Sequence, residues 1–150
     1  MIKKPTLKDI SAIQKLLFPF INDGIILKRD DDEIATNIRS YVIAINDDKI
    51  IGVGALHIYS TNLAEIRSLA VDKNYQKKGI GKKIIQALEN EAKQLGINQL
   101  LTLTYQKEFF EKIGFNEIPK ERVPEHKVWS DCIKCPHFPN CNEISLIKTI

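Results

Sequence analysis

Six consecutive residues, Gln76-Lys77-Lys78-Gly79-Ile80-Gly81, combine an amide, lysines and glycines between an apolar run and an amphipathic stretch. The apolar run, 66–71, predicts a strand, and the stretch 82–95 predicts a helix. Backbone N–H groups at a helix start have no intrahelical acceptor, and the helix dipole favours negative charge there. Glycines let an anion approach these amides closely, and lysines at 77, 78, 82 and 83 add positive charge. The loop therefore predicts a site for a pyrophosphate-bearing cofactor.

Two common phosphate-binding motifs do not match this loop. A Walker loop needs a Lys-Ser/Thr pair after its second glycine, whereas Gly81 is followed by Lys82-Lys83. A dinucleotide fingerprint needs a third glycine, and Ile84 stands at that position.

The pattern Gln76-x-x-Gly79-x-Gly81 after a strand resembles the acetyl-CoA loop of the GNAT N-acetyltransferases. Its context supports the resemblance, because the helix ends at Gly96, a strand follows at 100–104, and the string Phe109-Phe110-Glu111-Lys112-Ile113-Gly114-Phe115 comes next. The alternative is a basic, solvated helix start after an ordinary strand, and the surrounding pattern disfavours it.

Composition places the chain among globular proteins. It has 150 residues, 43% hydrophobic and 27% charged, which predicts one domain over 1–150. A net charge of +3 is too small to indicate nucleic acid, and no apolar run is long enough to span a bilayer. Because the N-terminus lacks a signal-peptide pattern, we expect a cytoplasmic location, where three cysteines would not form structural disulfides.

Periodicity predicts a mixed α/β (α+β) domain. Helices are expected over 5–17, 33–40, 79–95 and 107–113, and strands over 41–45, 50–59, 65–71, 100–104, 115–118 and 143–150. Phe18-Pro19-Phe20 is expected to end the first helix, and residues 119–142 to be an irregular loop. Gly52 and Gly54 predict a bulge or a close approach of backbone. The order resembles the GNAT fold, which implies a mostly antiparallel central sheet flanked by helices and splayed at the acetyl-CoA site.

Four longer strings narrow the resemblance to the short, stand-alone bacterial N-acetylglutamate synthases, which are amino-acid N-acetyltransferases. The strings span 23–29, 64–71, 103–110 and 126–132. The resemblance implies direct attack of the α-amine of L-glutamate on the thioester of acetyl-CoA, at the entrance to arginine biosynthesis. Longer synthases carry a kinase-like domain for which 150 residues leave no room. By analogy, a homodimer is expected.

Glu65 matches the family's base, which must take a proton from the amine before it attacks. A surface salt bridge at a strand end is the alternative for this carboxylate. Many family members use a tyrosine to protonate the leaving thiolate, but Phe109 and Phe110 stand there. Thr104 is preferred as a hydroxyl that positions groups in the site. The alternative is that it is an ordinary β-branched residue of a strand.

The resemblance also assigns the cofactor contacts. Backbone of the strand before the loop is expected to bind the pantetheine arm and the oxyanion, and the loop to bind the pyrophosphate. The residues are Leu69, Ala70, Val71, Gln76, Lys77, Lys78, Gly79, Ile80, Gly81 and Lys82.

An acceptor with two carboxylates needs cationic partners. Arginine suits this task because its planar fork binds a carboxylate bidentately. Arg29 matches a substrate-binding position of the family, Lys28 is adjacent, and Arg67 shares a strand face with Glu65. Lys127 is a fourth candidate, and a solvated surface charge is the alternative for each.

The cysteine loop leaves two interpretations open. Cys132, Cys135 and Cys141, with His126 and His137, have ligand types that suit a structural zinc. A single Cys-x-x-Cys pair favours buried thiols without metal instead. Two other functions also stay open: a different amine acceptor, and a non-catalytic domain that senses acyl-CoA.

Overall fold

The computed structural model describes residues 1–124, 127, 131 and 143–150. Their elements, in chain order, are β1 (Ile2–Lys3), α1 (Ile10–Asn22), α2 (Asp31–Thr36), β2 (Tyr41–Asn46), β3 (Lys49–Ile58), β4 (Leu63–Val71), α3 (Ile80–Leu95), β5 (Gln99–Thr104), α4 (Lys107–Lys112), β6 (Asn116–Ile118) and β7 (Ile144–Thr149). Short 3-10 turns at Leu7–Asp9, Ile38–Ser40, Lys73–Tyr75 and Lys120–Arg122 join some of these elements.

The strands form one sheet in the order β1-β2-β3-β4-β5-β7-β6. Neighbouring strands are antiparallel except β4 and β5, which are parallel and are connected by α3. A parallel pair needs such a crossover, whereas the antiparallel pair β2–β3 is joined by a tight turn. The predicted fold class, a mostly antiparallel mixed sheet flanked by helices, is confirmed.

Helices cover both faces of the sheet. One apolar cluster joins Ile84, Ile85 and Leu88 of α3 to strand residues such as Leu56, Ile66 and Leu100. The other joins Ile13, Leu16 and Leu17 of α1, and Ile34 of α2, to residues such as Tyr41 and Val53. Because strand side chains alternate, this second face also carries His57, Glu65 and Arg67.

Two glycines in β3 let α3 lie close against the sheet. A Cβ at Gly52 would stand 2.8 Å from Cδ1 of Ile84, and one at Gly54 would stand 2.7 Å from Cγ2 of Ile84. The neighbours of both glycines are side-chain atoms rather than backbone, and the space that a side chain would need is filled by Ile84 of α3.

The sheet splits between β4 and β5. Their pairing runs from Leu63↔Gln99 to Glu65↔Leu101, although β4 continues to Val71 and β5 to Thr104. Opposite Gly54, β4 also carries an extra residue, since Val53 pairs with Ala70 and Ala55 with Arg67. Ser68 in this bulge has a φ of 56°. A bulge bends its strand and increases the local twist, and this one lies beyond Glu65, the last residue of β4 that pairs with β5.

The prediction that Phe18-Pro19-Phe20 ends the first helix is wrong. α1 starts at Ile10, after a 3-10 turn, and runs through Pro19 to Asn22. Proline removes one donor, but the Pro19 carbonyl still accepts from Asp23 N at 3.0 Å. Phe20 and Ile21 of this last turn pack against the second cluster, which stabilises it.

The helix expected over 33–40 starts earlier and ends earlier. The Asp30 side chain caps α2 by accepting from Glu33 N at 2.8 Å, and a 3-10 turn follows at Ile38–Ser40. The two-residue strand β1 was not predicted, because so short an edge strand has no periodicity. The other predicted elements have bounds within two residues of those observed.

The contact between β3 and α3 gives a test of packing. Gly52→Ala is expected to destabilise the fold by about 1–3 kcal/mol, because the new methyl overlaps Cδ1 of Ile84. Ile84→Val removes Cδ1, so the double variant should lose less free energy of unfolding than the two single variants lose together. Free energies of unfolding in urea measure this coupling.

Gly54→Ala is the matched control, since its methyl meets Cγ2 of Ile84, which valine keeps. Adding Ile84→Val to Gly54→Ala should restore little of the free energy of unfolding that Gly54→Ala loses. If Ile84→Val restored the same free energy of unfolding to both glycine variants, Cδ1 of Ile84 would not be the atom that opposes a methyl at Gly52.

Candidate active site

The loop between β4 and α3 exposes backbone donors at the start of α3. Gly79 caps the helix with a φ of 80°, Lys77 has a φ of 62°, and the first helical bond runs from Lys83 N to Gly79 O at 3.1 Å. The N–H groups of Ile80, Gly81 and Lys82 precede that bond and therefore have no acceptor within α3. These donors and the positive end of the helix dipole suit an anion.

The loop is attached firmly to the end of β4. The Gln76 side chain donates to Val71 O at 3.1 Å, and Asp72 N donates to Ile51 O at 2.7 Å. A Cβ at Gly81 would lie 3.6 Å from Cζ of Phe109 and 3.8 Å from Cγ2 of Val71. The start of α3, the start of α4 and the end of β4 thus converge beside the split.

The loop lysines do not all lie on one side of α3. Lys77, Lys78, Lys82 and Lys83 are exposed, and Nζ of Lys78 stands 5.4 Å from the ring centroid of Tyr75. Lys78 and Lys83 line a cavity of about 430 Å³ that also contacts β2, whereas Gly81 approaches α4. Positive charge is therefore spread around the helix start.

Glu65 lies on β4 where the pairing with β5 ends, and only 2% of it is exposed. The Tyr59 hydroxyl donates to its Oε1 at 2.7 Å, and Nζ of Lys127 lies 2.7 Å from its Oε2. A buried carboxylate needs such partners, because an unpaired buried charge is strongly destabilising. Glu65 therefore does form a salt bridge, but a buried one and not one at the surface.

Three cationic side chains, Arg29, Arg67 and Lys127, surround one carboxylate, and we call these three the cation cluster. Arg29 donates to both oxygens of Asp131, at 3.1 and 3.2 Å. Arg67 NH1 donates to Oδ2 of Asp131 at 2.9 Å, and Lys127 Nζ donates to the same oxygen at 3.2 Å. Arg29 also donates to Glu33 at 2.6 Å.

These contacts shift the pKa values of Asp131, Arg29 and Lys127. Burial alone would raise the pKa of Asp131, but the hydrogen bonds from Arg29 and the charges of Lys127, Arg29 and Arg67 hold it far below its usual range. Burial opposes the charges of Arg29 and Lys127, yet their carboxylate partners raise the pKa of both. Arg29, Lys127 and Asp131 are therefore charged at neutral pH.

Two further groups beside Glu65 are neutral. Burial and the Glu65 carboxylate raise the pKa of Tyr59, which keeps the phenol a hydrogen-bond donor. Burial and Arg67 lower the pKa of His57, which pairs across the strands with Glu65. The site thus places a neutral imidazole and a carboxylate on one face of the sheet.

The structure brings together Glu65, Arg29, Arg67 and Lys127, as the sequence predicted. Lys28 is exposed and lines a shallow surface groove with Gln14 and the acidic residues Asp30, Asp31 and Asp32. Thr104 lies at the end of β5, where its hydroxyl accepts from Gln106 N at 2.9 Å. Its role, like that of Lys28, remains a prediction.

Three residues of the site, Tyr59, His57 and Asp131, were not predicted from the sequence. The hairpin register would have indicated His57, since it faces Glu65, and Tyr59 lies two residues further along the same face. Asp131 is four residues after Lys127 in the string 126–132, but nothing in that string shows which cations it meets.

The zinc interpretation concerns Cys132, Cys135, Cys141, His126 and His137, which lie outside the described residues. Within the part of the chain that the structure describes, no group of three or more metal-ligating side chains is present. In the same part, none of the helices has both the length and the apolar composition to cross a bilayer.

Comparisons with known proteins identify relatives of this chain. The model of the acetyltransferase (GNAT) family matches residues 9–115. An uncharacterized N-acetyltransferase of Chlorobaculum tepidum is 37% identical over 99% of this chain and 96% of its own length. An amino-acid acetyltransferase of Mycobacterium tuberculosis is 31% identical over 79% of this chain and 69% of its own length.

Other relatives are longer. An amino-acid acetyltransferase of Mannheimia succiniciproducens is 32% identical over 84% of this chain, but the chain spans only 29% of that protein.

Solved structures share the fold. N-acetylglutamate synthase of Neisseria gonorrhoeae, complexed with coenzyme A and N-acetyl-glutamate, matches 99% of this chain and 34% of its own with a TM-score of 0.90 at 24% identity. Rv2747 of Mycobacterium tuberculosis, in complex with CoA, matches all of this chain and 99% of its own with a TM-score of 0.85 at 25% identity.

The split sheet, the donors at the start of α3 and the family match lead to one conclusion. The chain belongs to the acetyltransferase (GNAT) family and is an acetyl-CoA-dependent N-acetyltransferase.

Proposed function

We propose that this enzyme acetylates the α-amine of an amino acid, with L-glutamate as the preferred acceptor, and so serves arginine biosynthesis. The observation that carries the proposal is the cation cluster of Arg29, Arg67 and Lys127 beside the buried Glu65. Cationic side chains suit the acceptor's carboxylates, and Glu65 suits its amine. The relatives named amino-acid acetyltransferases support the same acceptor class.

The cofactor is proposed to lie in the split, with its pyrophosphate on the loop from Gln76 to Lys82. The N–H groups of Ile80, Gly81 and Lys82 supply donors there. Beyond Ile66, the edge of β4 that faces β5 has no strand partner among the described residues. Backbone of Leu69, Ala70 and Val71 on this strand is proposed to bind the pantetheine arm and to donate to the oxyanion, because preorganised donors stabilise developing charge.

The reaction begins with deprotonation. The acceptor's ammonium gives a proton to Glu65, directly or through one water, and the free amine then attacks the thioester carbon. A C–N bond forms, the nitrogen loses its second proton to water or to the departing sulfur, and the C–S bond breaks, so that coenzyme A leaves as the thiolate or the thiol. Phe109 and Phe110 have no proton to donate to it, so Thr104 is proposed only as a positioning hydroxyl.

The cluster favours an acceptor with a second carboxylate. Arg29 and Arg67 present planar forks that can bind a carboxylate through two hydrogen bonds. Glutamine has the same length but lacks the second charge, and aspartate is one methylene shorter. Both are therefore expected to be poorer acceptors.

A thiol-release assay with acetyl-CoA and each of the twenty amino acids tests the proposal. We expect kcat/KM for L-glutamate to exceed that for aspartate or glutamine by at least about tenfold. Glu65→Gln should lower kcat by about 100- to 10,000-fold while acetyl-CoA affinity stays unchanged, since the amide cannot accept the proton. A flat acceptor profile would contradict the glutamate assignment.

His57→Asn is the matched control for the base. The lowered pKa of His57 leaves a neutral imidazole that is also able to accept a proton at pH 7. If Glu65 is the base, His57→Asn should change kcat by less than about tenfold. A large loss in His57→Asn together with normal turnover in Glu65→Gln would move the role to the histidine.

The loop lysines give a separate prediction about the cofactor. Lys77→Ala with Lys82→Ala should weaken acetyl-CoA binding by about tenfold at low salt, because both charges lie beside the proposed pyrophosphate position. The loss should shrink as salt rises, which titration calorimetry at several salt concentrations measures. Lys8→Ala with Lys15→Ala, which removes two exposed lysines in the Leu7–Asp9 turn and α1, is the control for net charge. Equal effects of both pairs would contradict a local site.

A further inference from the structure

Asp131 is bound by every member of the cation cluster. Its carboxylate accepts from Arg29 through both oxygens, from Arg67 at 2.9 Å and from Lys127 at 3.2 Å. Only 6% of Asp131 is exposed. One protein carboxylate thus fills the point where three buried or nearly buried cationic side chains converge.

The charges of this network are already balanced. Against the three cations stand Asp131, Glu65 and Glu33, each in contact with at least one of them. A second carboxylate placed beside Asp131 on the same cations would put two like charges close together in a buried position, which costs free energy. An incoming carboxylate is therefore favoured only if it replaces Asp131.

Arg29 offers such a carboxylate a donor that Asp131 leaves unused. Asp131 and Glu33 accept from its NH1 and NH2 groups, whereas its buried Nε has no acceptor among the described residues. A buried donor without an acceptor is costly, so a ligand oxygen that reaches Nε gains free energy. A carboxylate that replaces Asp131 therefore has one further donor, Nε of Arg29, that Asp131 does not use.

We propose that Asp131 is a specificity-determining residue that occupies the position of an acceptor carboxylate and is displaced when the acceptor binds. This inference rests on the proposed function, in which the cation cluster binds the acceptor. The internal carboxylate subtracts from the affinity of every acceptor. An acceptor with two carboxylates and an amine makes several contacts, and their binding free energy offsets the cost of displacing Asp131. An acceptor with one carboxylate makes fewer contacts and offsets less of that cost.

The test uses glutarate, a dicarboxylate of the same length as glutamate that has no amine to acetylate. Its Kd is measured by titration calorimetry in the wild-type protein, Asp131→Asn and Glu33→Gln. Asp131→Asn should bind glutarate about tenfold more tightly, because a neutral amide no longer competes for the cations. Glu33→Gln is the matched control, since it removes the same charge from the same arginine at a half-exposed position. It should change the Kd by less than about threefold.

Three results would overturn the proposal: weaker glutarate binding in Asp131→Asn, unchanged binding, or an equal gain in Glu33→Gln. A structural role for Asp131 predicts the first of these, because its loss would disorganise the cations. A general charge effect predicts the last.

Asp131→Ala provides a second measurement in case the asparagine variant folds poorly. It leaves the cations unpaired, so its melting temperature should fall and should recover in acetate or glutarate more than in chloride of equal ionic strength. No preference for carboxylates would contradict the proposal. Neither measurement requires turnover, so tighter glutarate binding beside a flat acceptor profile would reject the glutamate acceptor while supporting the carboxylate position.

Discussion

Buried charge is the constraint that organises this molecule. Arg29, Glu65, Lys127 and Asp131 are each less than a tenth exposed, and none of them is stable there without partners of opposite charge. Contacts in this network join β4, α2, the segment before it, and two residues beyond β6, which lie far apart in the chain. Such a network is a weak source of net stability, but it fixes the positions of its members, which a catalytic site requires.

The split sheet and the charged face depend on one another. The pairing of β4 with β5 ends at Glu65, so the last paired residue on β4 is also the one that carries the proposed base. Just beyond it, the bulge at Ser68 bends the strand, while Gly52 and Gly54 let α3 press against the opposite face. The helix start and its donors therefore lie beside the opening where the cofactor is proposed to bind, and the cation cluster lies where the acceptor is proposed to bind.

The sequence predicted much of the fold because strong local signals specify it. The period of α3, its glycine at each end, and the hairpin of β2 and β3 all arise from neighbouring residues. The helix end predicted at Pro19 was wrong, since the cost of proline within α1 is offset by packing that only the folded chain provides. The two-residue β1 has too few residues to show a period.

Within the candidate site, the resemblance indicated Glu65 and Arg29, and strand alternation indicated Arg67. Neither signal could indicate that Asp131, which is remote in the sequence, would accept hydrogen bonds from both arginines at once. Long-range ion pairs leave no pattern in a single sequence, because either partner also looks like an ordinary surface charge. For the same reason Tyr59 was missed, although it binds Glu65 across a six-residue separation.

A crystal structure of the enzyme with coenzyme A and N-acetyl-L-glutamate would show whether the cation cluster and Glu65 serve the acceptor. We expect a product carboxylate hydrogen-bonded to Arg29 and Arg67, and the product's amide nitrogen within reach of Glu65, directly or through one water. We also expect that Asp131 no longer accepts from both arginines. A product bound away from the cation cluster, with Glu65 remote from the nitrogen, would contradict the proposed acceptor site.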